Sequence, residues 1–128
     1  MSKILIVEPD ESSANRLARG LSRSGYQVET VSVGEVAVRR IQAQQVDVLI
    51  TEVNLPDMQA CDLIARVHRI DPEIPVLVTT DDESWETSRK IRIGSAPVFY
   101  YGLKPLDPRE MQQVVHSAIQ WRKGKKSG

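Results

Sequence analysis

The sequence predicts an α/β domain, a doubly wound five-stranded parallel sheet with five helices. Three observations carry this expectation. Apolar runs of strand length alternate with helix-patterned stretches five times. Several runs are continuously apolar, as strands covered on both faces are. The chain of 128 residues fits one domain and leaves no room for a comfortable second.

In chain order, Ile4 to Val7 is a continuous apolar run that reads as a buried strand. Ala14, Leu17, Ala18 and Leu21 follow at i, i+3, i+4 and i+7, the stripe of a helix, and Gly25 supplies its stop. Tyr26 to Val31 alternates apolar and polar residues and reads as a strand nearer an edge. Ala37, Val38 and Ile41 stripe a second helix, and Val46 to Thr51 is a second buried run. Ala60, Leu63, Ile64 and Val67 make a third helix, ended before Asp71-Pro72. Ile74 to Thr79 is the fourth strand, with Pro75 tolerated near its start. A weaker helix over Ser84 to Ile93 closes at Gly94, and Val98 to Leu103 is the fifth strand. Met111, Val114, Val115, Ala118 and Ile119 stripe the final helix.

Composition narrows the function classes. Seventeen bases balance 17 acids, which argues against a dedicated nucleic-acid binder. The single cysteine, Cys61, cannot form an internal disulfide, and no apolar run suits a secretory signal or a membrane span. The expectation is a small cytoplasmic domain. The balance is uneven, because Arg122, Lys123, Lys125 and Lys126 crowd the last seven residues. Residues 1–121 carry 13 bases against 17 acids, so an acidic domain over 1–121 is expected, followed by a basic tail or linker start over 122–128.

In parallel sheets of this kind ligands bind beyond the carboxyl ends of the strands. Those ends carry Glu8-Pro9-Asp10, Glu52, Thr79-Thr80 and Lys104-Pro105. Carboxylates, a hydroxyl and an ammonium converging on one rim suit a hard divalent cation and a phosphoryl group.

With these residues in place, the chain resembles a receiver domain of bacterial two-component response regulators over residues 2–121. The matching stretches are Ile4 to Glu8, Gly25 to Val28, Asp47 to Pro56, Ile74 to Thr80 and Lys104 to Leu106. The resemblance implies a flavodoxin-like fold and a role in phosphorelay signalling, not catalysis of a metabolic reaction. It puts Glu52 at the phosphoacceptor position, where the family has aspartate. Glu8 matches the first of the family's paired acids, Pro9 replaces the second, and Asp10 stands one position further on. Thr80 matches the switch hydroxyl, with Thr79 taking its place if the register slips. Lys104 matches the lysine, Tyr101 the aromatic switch, and Asn54 the residue whose carbonyl helps hold the metal. Asp57, Ala60 and Asp81 are smaller departures that add charge or bulk near the rim. The distance from Gly94 to Lys104 implies a remodelled segment before the fifth strand.

The two main departures bear on the chemistry. The extra methylene of Glu52 moves its carboxylate by about 1 Å, a misplacement that costs about 100-fold in a positioned reaction. The implied cofactor, Mg²⁺, is held less well without an acid at Pro9 and with Glu52 in place. The reading is therefore a pseudo-receiver that works by protein–protein interaction, Glu52 reaching towards Lys104 and Thr80. Its partner would be a signalling kinase, output domain or effector. The docking face would be formed by helix 84–93, strand 98–103 and the final helix, with Trp85, Arg89, Phe99, Tyr100 and Trp121 as anchors. The alternative is a receiver that remains phosphorylatable on Glu52 or Asp10.

Structural roles compete with these assignments. Asp10 with Ser12 and Ser13 reads more naturally as a helix cap than as a metal ligand. Tyr101 reads as packing before it reads as a switch, and Glu52–Lys104 reads equally well as a plain ion pair. Cys61 reads as a small core residue, and His68 and His116 are isolated from other metal-ligand types. The basic tail suffices only for weak, salt-sensitive attraction to anionic surfaces.

Overall fold

The computed structural model describes residues 1–81 and 98–127. Five strands, β1 (Lys3–Val7), β2 (Gln27–Val31), β3 (Val48–Glu52), β4 (Val76–Thr80) and β5 (Tyr100–Leu103), form one parallel sheet in the order β2-β1-β3-β4-β5. The described helices are α1 (Glu11–Arg23), α2 (Gly34–Ala43), α3 (Ala60–Ile70) and α4 (Pro108–Ser127). The expected helix over 84–93, its Gly94 stop and the anchors Trp85 and Arg89 lie outside the described residues.

The expected sheet is present, and burial follows the sequence pattern. Every residue of β3 and β4 is buried, as are Ile4 to Val7, whereas the edge strand β2 has no fully buried residue. Strand alternation divides the core into two layers. Leu5, Val7 and Leu49 pack under α2 and α3, while Ile4, Ile6, Ile50 and Leu77 pack under α1 and α4 with Met111 and Val115. At about 25 cal/mol per Å² of apolar surface, this double coverage is the main term holding the sheet together. Small boundary differences follow from hydrogen bonding. Pro75 cannot donate to a ladder, so β4 begins at Val76, although the Pro75 carbonyl still accepts from Leu49 N–H at 3.1 Å.

Helix ends are set by local chemistry. Asp10 caps α1, its Oδ2 accepting from Ser13 N–H at 2.9 Å and from the Ser13 hydroxyl at 2.6 Å. Gly25, at φ 94°, turns the chain out of α1 in the left-handed region that favours glycine. Helix α2 has no cap of its own, because Val33 precedes it. Asp57 supplies one from the loop after β3, accepting from Gly34 N–H at 2.8 Å and Glu35 N–H at 2.9 Å. Met58 lies over Gly34 so closely that a Cβ there would sit 2.6 Å from its sulfur. Asp57, expected to add charge near the rim, caps the N-terminus of α2, which follows the carboxyl end of β2.

The expected domain end at 121 is not where packing stops. Helix α4 continues to Ser127, and Arg122 is 3% exposed. Its Nη2 meets Asp71 Oδ2 at 2.6 Å, and its Nε lies 3.7 Å from Asp47 Oδ1. Arg122 therefore belongs to the domain body and not to a solvated tail. The aliphatic stem packs while the guanidinium finds acids at the amino ends of the strands.

Candidate functional site

The strand order reverses at β1 and β3, and the residues that close those strands, Glu8 and Glu52, flank the crevice created there. Lys104 enters from the far side, immediately after β5, and its backbone N–H donates to the Thr80 carbonyl at 2.8 Å. The next peptide, Lys104–Pro105, is cis.

These three side chains meet. Lys104 Nζ donates to Glu8 Oε1 and lies 3.4 Å from Glu52 Oε2. Glu8 and Glu52 are each only 8% exposed. The second Glu8 oxygen accepts from Asp10 N–H at 3.0 Å, which fixes the carboxylate in place. Glu52 is held less firmly, its contact with Lys104 being longer than a charge-assisted hydrogen bond. No described donor completes a hydrogen bond to its buried Oε2.

The electrostatics follow from two acids sharing one base in a poorly hydrated place. Burial pushes the Glu52 carboxyl above its ordinary 4.5, Lys104 opposes that rise, and the Glu8 charge adds to it. Burial alone would lower Lys104, but the Glu8 hydrogen bond and the charges of Glu52 and Glu8 outweigh it and raise its pKa.

The remaining expected site residues are placed as follows. Thr80 and Thr79 are both buried at the end of β4, Thr79 paired with Glu52 in the ladder. Tyr101 is partly buried and packs against the core layer under α2 and α3. Asn54 is exposed on the loop after β3, bridged to Gln59. Asp10 is turned to its capping bonds with Ser13, which hold its carboxyl below the usual range. It caps α1 in this fold, and Glu8 and Glu52 are the acids that meet Lys104.

The donor set can be tested against Mg²⁺. Among the described residues no group of three or more metal-ligating side chains gathers. Glu8 is committed to Lys104, Asp10 to Ser13, and Pro9 offers no acid. A hard cation needs several free oxygens at short range, so these residues do not fit it as they stand.

Sequence reasoning missed two further placements. The Asp57 cap had one readable signal, the absence of a capping side chain at Val33. The Arg122 anchor had none, since Asp47 and Asp71 lie far away in sequence.

A doubly wound parallel sheet with two acids and a lysine converging at its switch point defines a flavodoxin-like α/β domain. Comparison makes this specific: residues 4–116 match the response regulator receiver domain, and the chain belongs to that family. Receivers are signalling domains of two-component systems, not classical enzymes. The chain is 30% identical over 118 residues to the alkaline phosphatase synthesis transcriptional regulatory protein PhoP of Bacillus subtilis, covering 91% of the chain and 48% of PhoP. It is 31% identical over 116 residues to the DNA-binding transcriptional regulator NtrC of Rhizobium meliloti, covering 91% of the chain and 24% of NtrC. The chain thus spans less than half of each of these regulators. Among solved structures, a CheY-like receiver domain protein from Methanospirillum hungatei superposes with a TM-score of 0.89 at 22% identity, over 98% of both chains. A response regulator described as putative, from Chloroflexus aurantiacus, gives 0.84 at 30% identity, over 93% of this chain and 98% of that one. No described helix is long and apolar enough to cross a membrane.

Proposed function

We propose that this receiver is a pseudo-receiver, a signalling module that acts through protein–protein contact without accepting a phosphoryl group at an aspartate. The supporting observation is the engagement of Lys104 by both Glu8 and Glu52. The lysine that would hold phosphoryl oxygens already carries a carboxylate at the phosphoacceptor position, so Glu52 stands in for part of the modified group. It brings one negative charge where a phosphoryl group brings about two, so the mimicry is partial. The extra methylene and the missing second acid both act against in-line transfer.

The partner face in this reading is β5 with α4. Phe99 and Trp121 are 37% and 40% exposed there and meet in a tilted contact with ring centroids 6.0 Å apart. Lys125 lies 5.6 Å from the Trp121 ring, so the end of α4 joins the same face. A signalling kinase, an output domain or an effector would dock on it, in the cytoplasm, with no nucleic acid bound by this domain.

The test is to incubate the chain with Mg²⁺ and acetyl phosphate and weigh it intact. The expected result is no adduct on the native chain, and a Mg²⁺-dependent adduct gained by Glu52→Asp would show that the pocket is otherwise intact. An acid-stable, base-labile phosphate on the native chain, at Glu52 or Asp10, would overturn the proposal in favour of a working phosphoacceptor.

A further inference from the structure

A cavity of about 390 Å³ opens between α1 and α4, on the sheet face opposite α2 and α3. Its volume is within the range of small-molecule sites. Its floor is Ile6 and Ile50, and its walls are Leu17 and Leu21 of α1 with Leu106 and Met111 of the α4 side. The polar lining groups include Glu8, Lys104, Ser13, Arg16, Asp81 and Gln112. An apolar lining with a few polar groups is the usual anatomy of a ligand pocket.

Gly20 adds an independent observation. It lies within α1 and lines the cavity, and a Cβ built on it would meet nothing within 4 Å. Glycine inside a helix costs about 1 kcal/mol against alanine, and neither a turn nor a close backbone approach requires one here. What the missing side chain provides is room inside the cavity.

Charge selects the class of ligand. Lys104 is neutralised by Glu8 and Glu52, whereas Arg16 is exposed and forms no ion pair with a described carboxylate. Asp81 is also on the lining, which disfavours a doubly charged head. We infer that this cavity binds a compact apolar molecule bearing a single anionic head, the body over Gly20 and the head at Arg16. The site touches Glu8 and Lys104, so an occupant would sit against the same pair that closes the candidate signalling site. The inference stands whether or not Glu52 can be phosphorylated.

The probe is 1-anilinonaphthalene-8-sulfonate, an apolar monoanion, compared with the uncharged N-phenyl-1-naphthylamine of nearly the same body. Fluorescence titration should give one saturable site for the anion. Gly20→Leu, which fills the cavity, should abolish it, while Trp121→Ala should leave it unchanged. Arg16→Gln should weaken the sulfonate about fivefold and leave the neutral probe alone, as loss of one exposed charge-assisted contact would. If Gly20→Leu fails to fold, amide shifts in the native chain decide: movement at Leu17, Ile50 and Met111 supports the site. Shifts confined to Phe99 and Trp121, an unaffected Gly20→Leu titration, or no saturable binding would each overturn it.

Discussion

The two ends of the sheet carry the same charge inventory in opposite arrangements. At the carboxyl ends Lys104 lies between Glu8 and Glu52, and at the amino ends Arg122 lies between Asp47 and Asp71. In the first cluster the acid side chains are the dry partners, 7% and 11% exposed against 19% for the lysine. In the second the base is dry, with the Arg122 side chain 4% exposed against 22% and 26% for the two aspartates. Water can reach the acids at the amino end but hardly those at the carboxyl end. Each base binds one acid closely and the other at longer range: Lys104 lies 3.4 Å from Glu52, and Arg122 Nε lies 3.7 Å from Asp47 with no hydrogen bond completed there. The ends therefore differ in which partner is dry: a buried arginine between partly hydrated acids at one, and at the other two buried acids around a lysine, a balance that a ligand, a partner or a proton can alter.

The sharpest way to break this contrast is to remove each base. Lys104→Met leaves two buried carboxylates with no counter-charge and should cost about 3 kcal/mol at pH 7, read by urea denaturation. A loss under about 1 kcal/mol would mean that Glu8 and Glu52 are hydrated after all. Arg122→Met should cost less, about 2 kcal/mol, because Asp47 and Asp71 can take up water when the cation is gone. A chain ended after Trp121 should lose a similar amount. Unchanged stability of that shortened chain would restore the boundary at 121.

The smallest effect concerns Glu52. Its pKa is raised on folding, so the folded state holds the proton longer than the unfolded one. That contribution to stability is present at low pH and is lost as pH rises from the ordinary 4.5 through the raised folded value. Glu52→Gln should therefore be neutral or stabilising by up to about 1 kcal/mol at pH 7. The difference from the native chain should shrink as pH falls below that window. A Glu52→Gln chain less stable than the native one at pH 7 would show that the pair with Lys104 outweighs the cost of burying the charge.

The same comparison shows what was legible in the chain. Ile4 to Val7 and Val48 to Thr51 read as buried strands because continuous apolar runs have few other uses, and the alternation from Tyr26 onwards marked an edge. Glu8, Glu52 and Lys104 were legible for the same reason: parallel order brings strand ends to one rim. Asp10 was readable both as a ligand and as a cap, and local geometry, the Ser13 bonds three residues on, decided for the cap. Arg122 was misread because a run of bases containing Gly124 looks solvated and frayed. The helix persists past it because α4 is docked against the sheet, with the Arg122 guanidinium anchored to acids from two other elements.

By itself the sequence determined the periodic content: which segments are strands, which faces are apolar, and which polar residues close the strands. Those follow from local spacing and from the rule that apolar surface is buried. Only the tertiary structure decided which charges meet. Asp57 on the end of α2, Arg122 between Asp47 and Asp71, and the vacant space over Gly20 depend on how helices dock across the sheet. Ion pairing and cavity shape vary over distances of an ångström or two between residues tens of positions apart, and no local pattern encodes that.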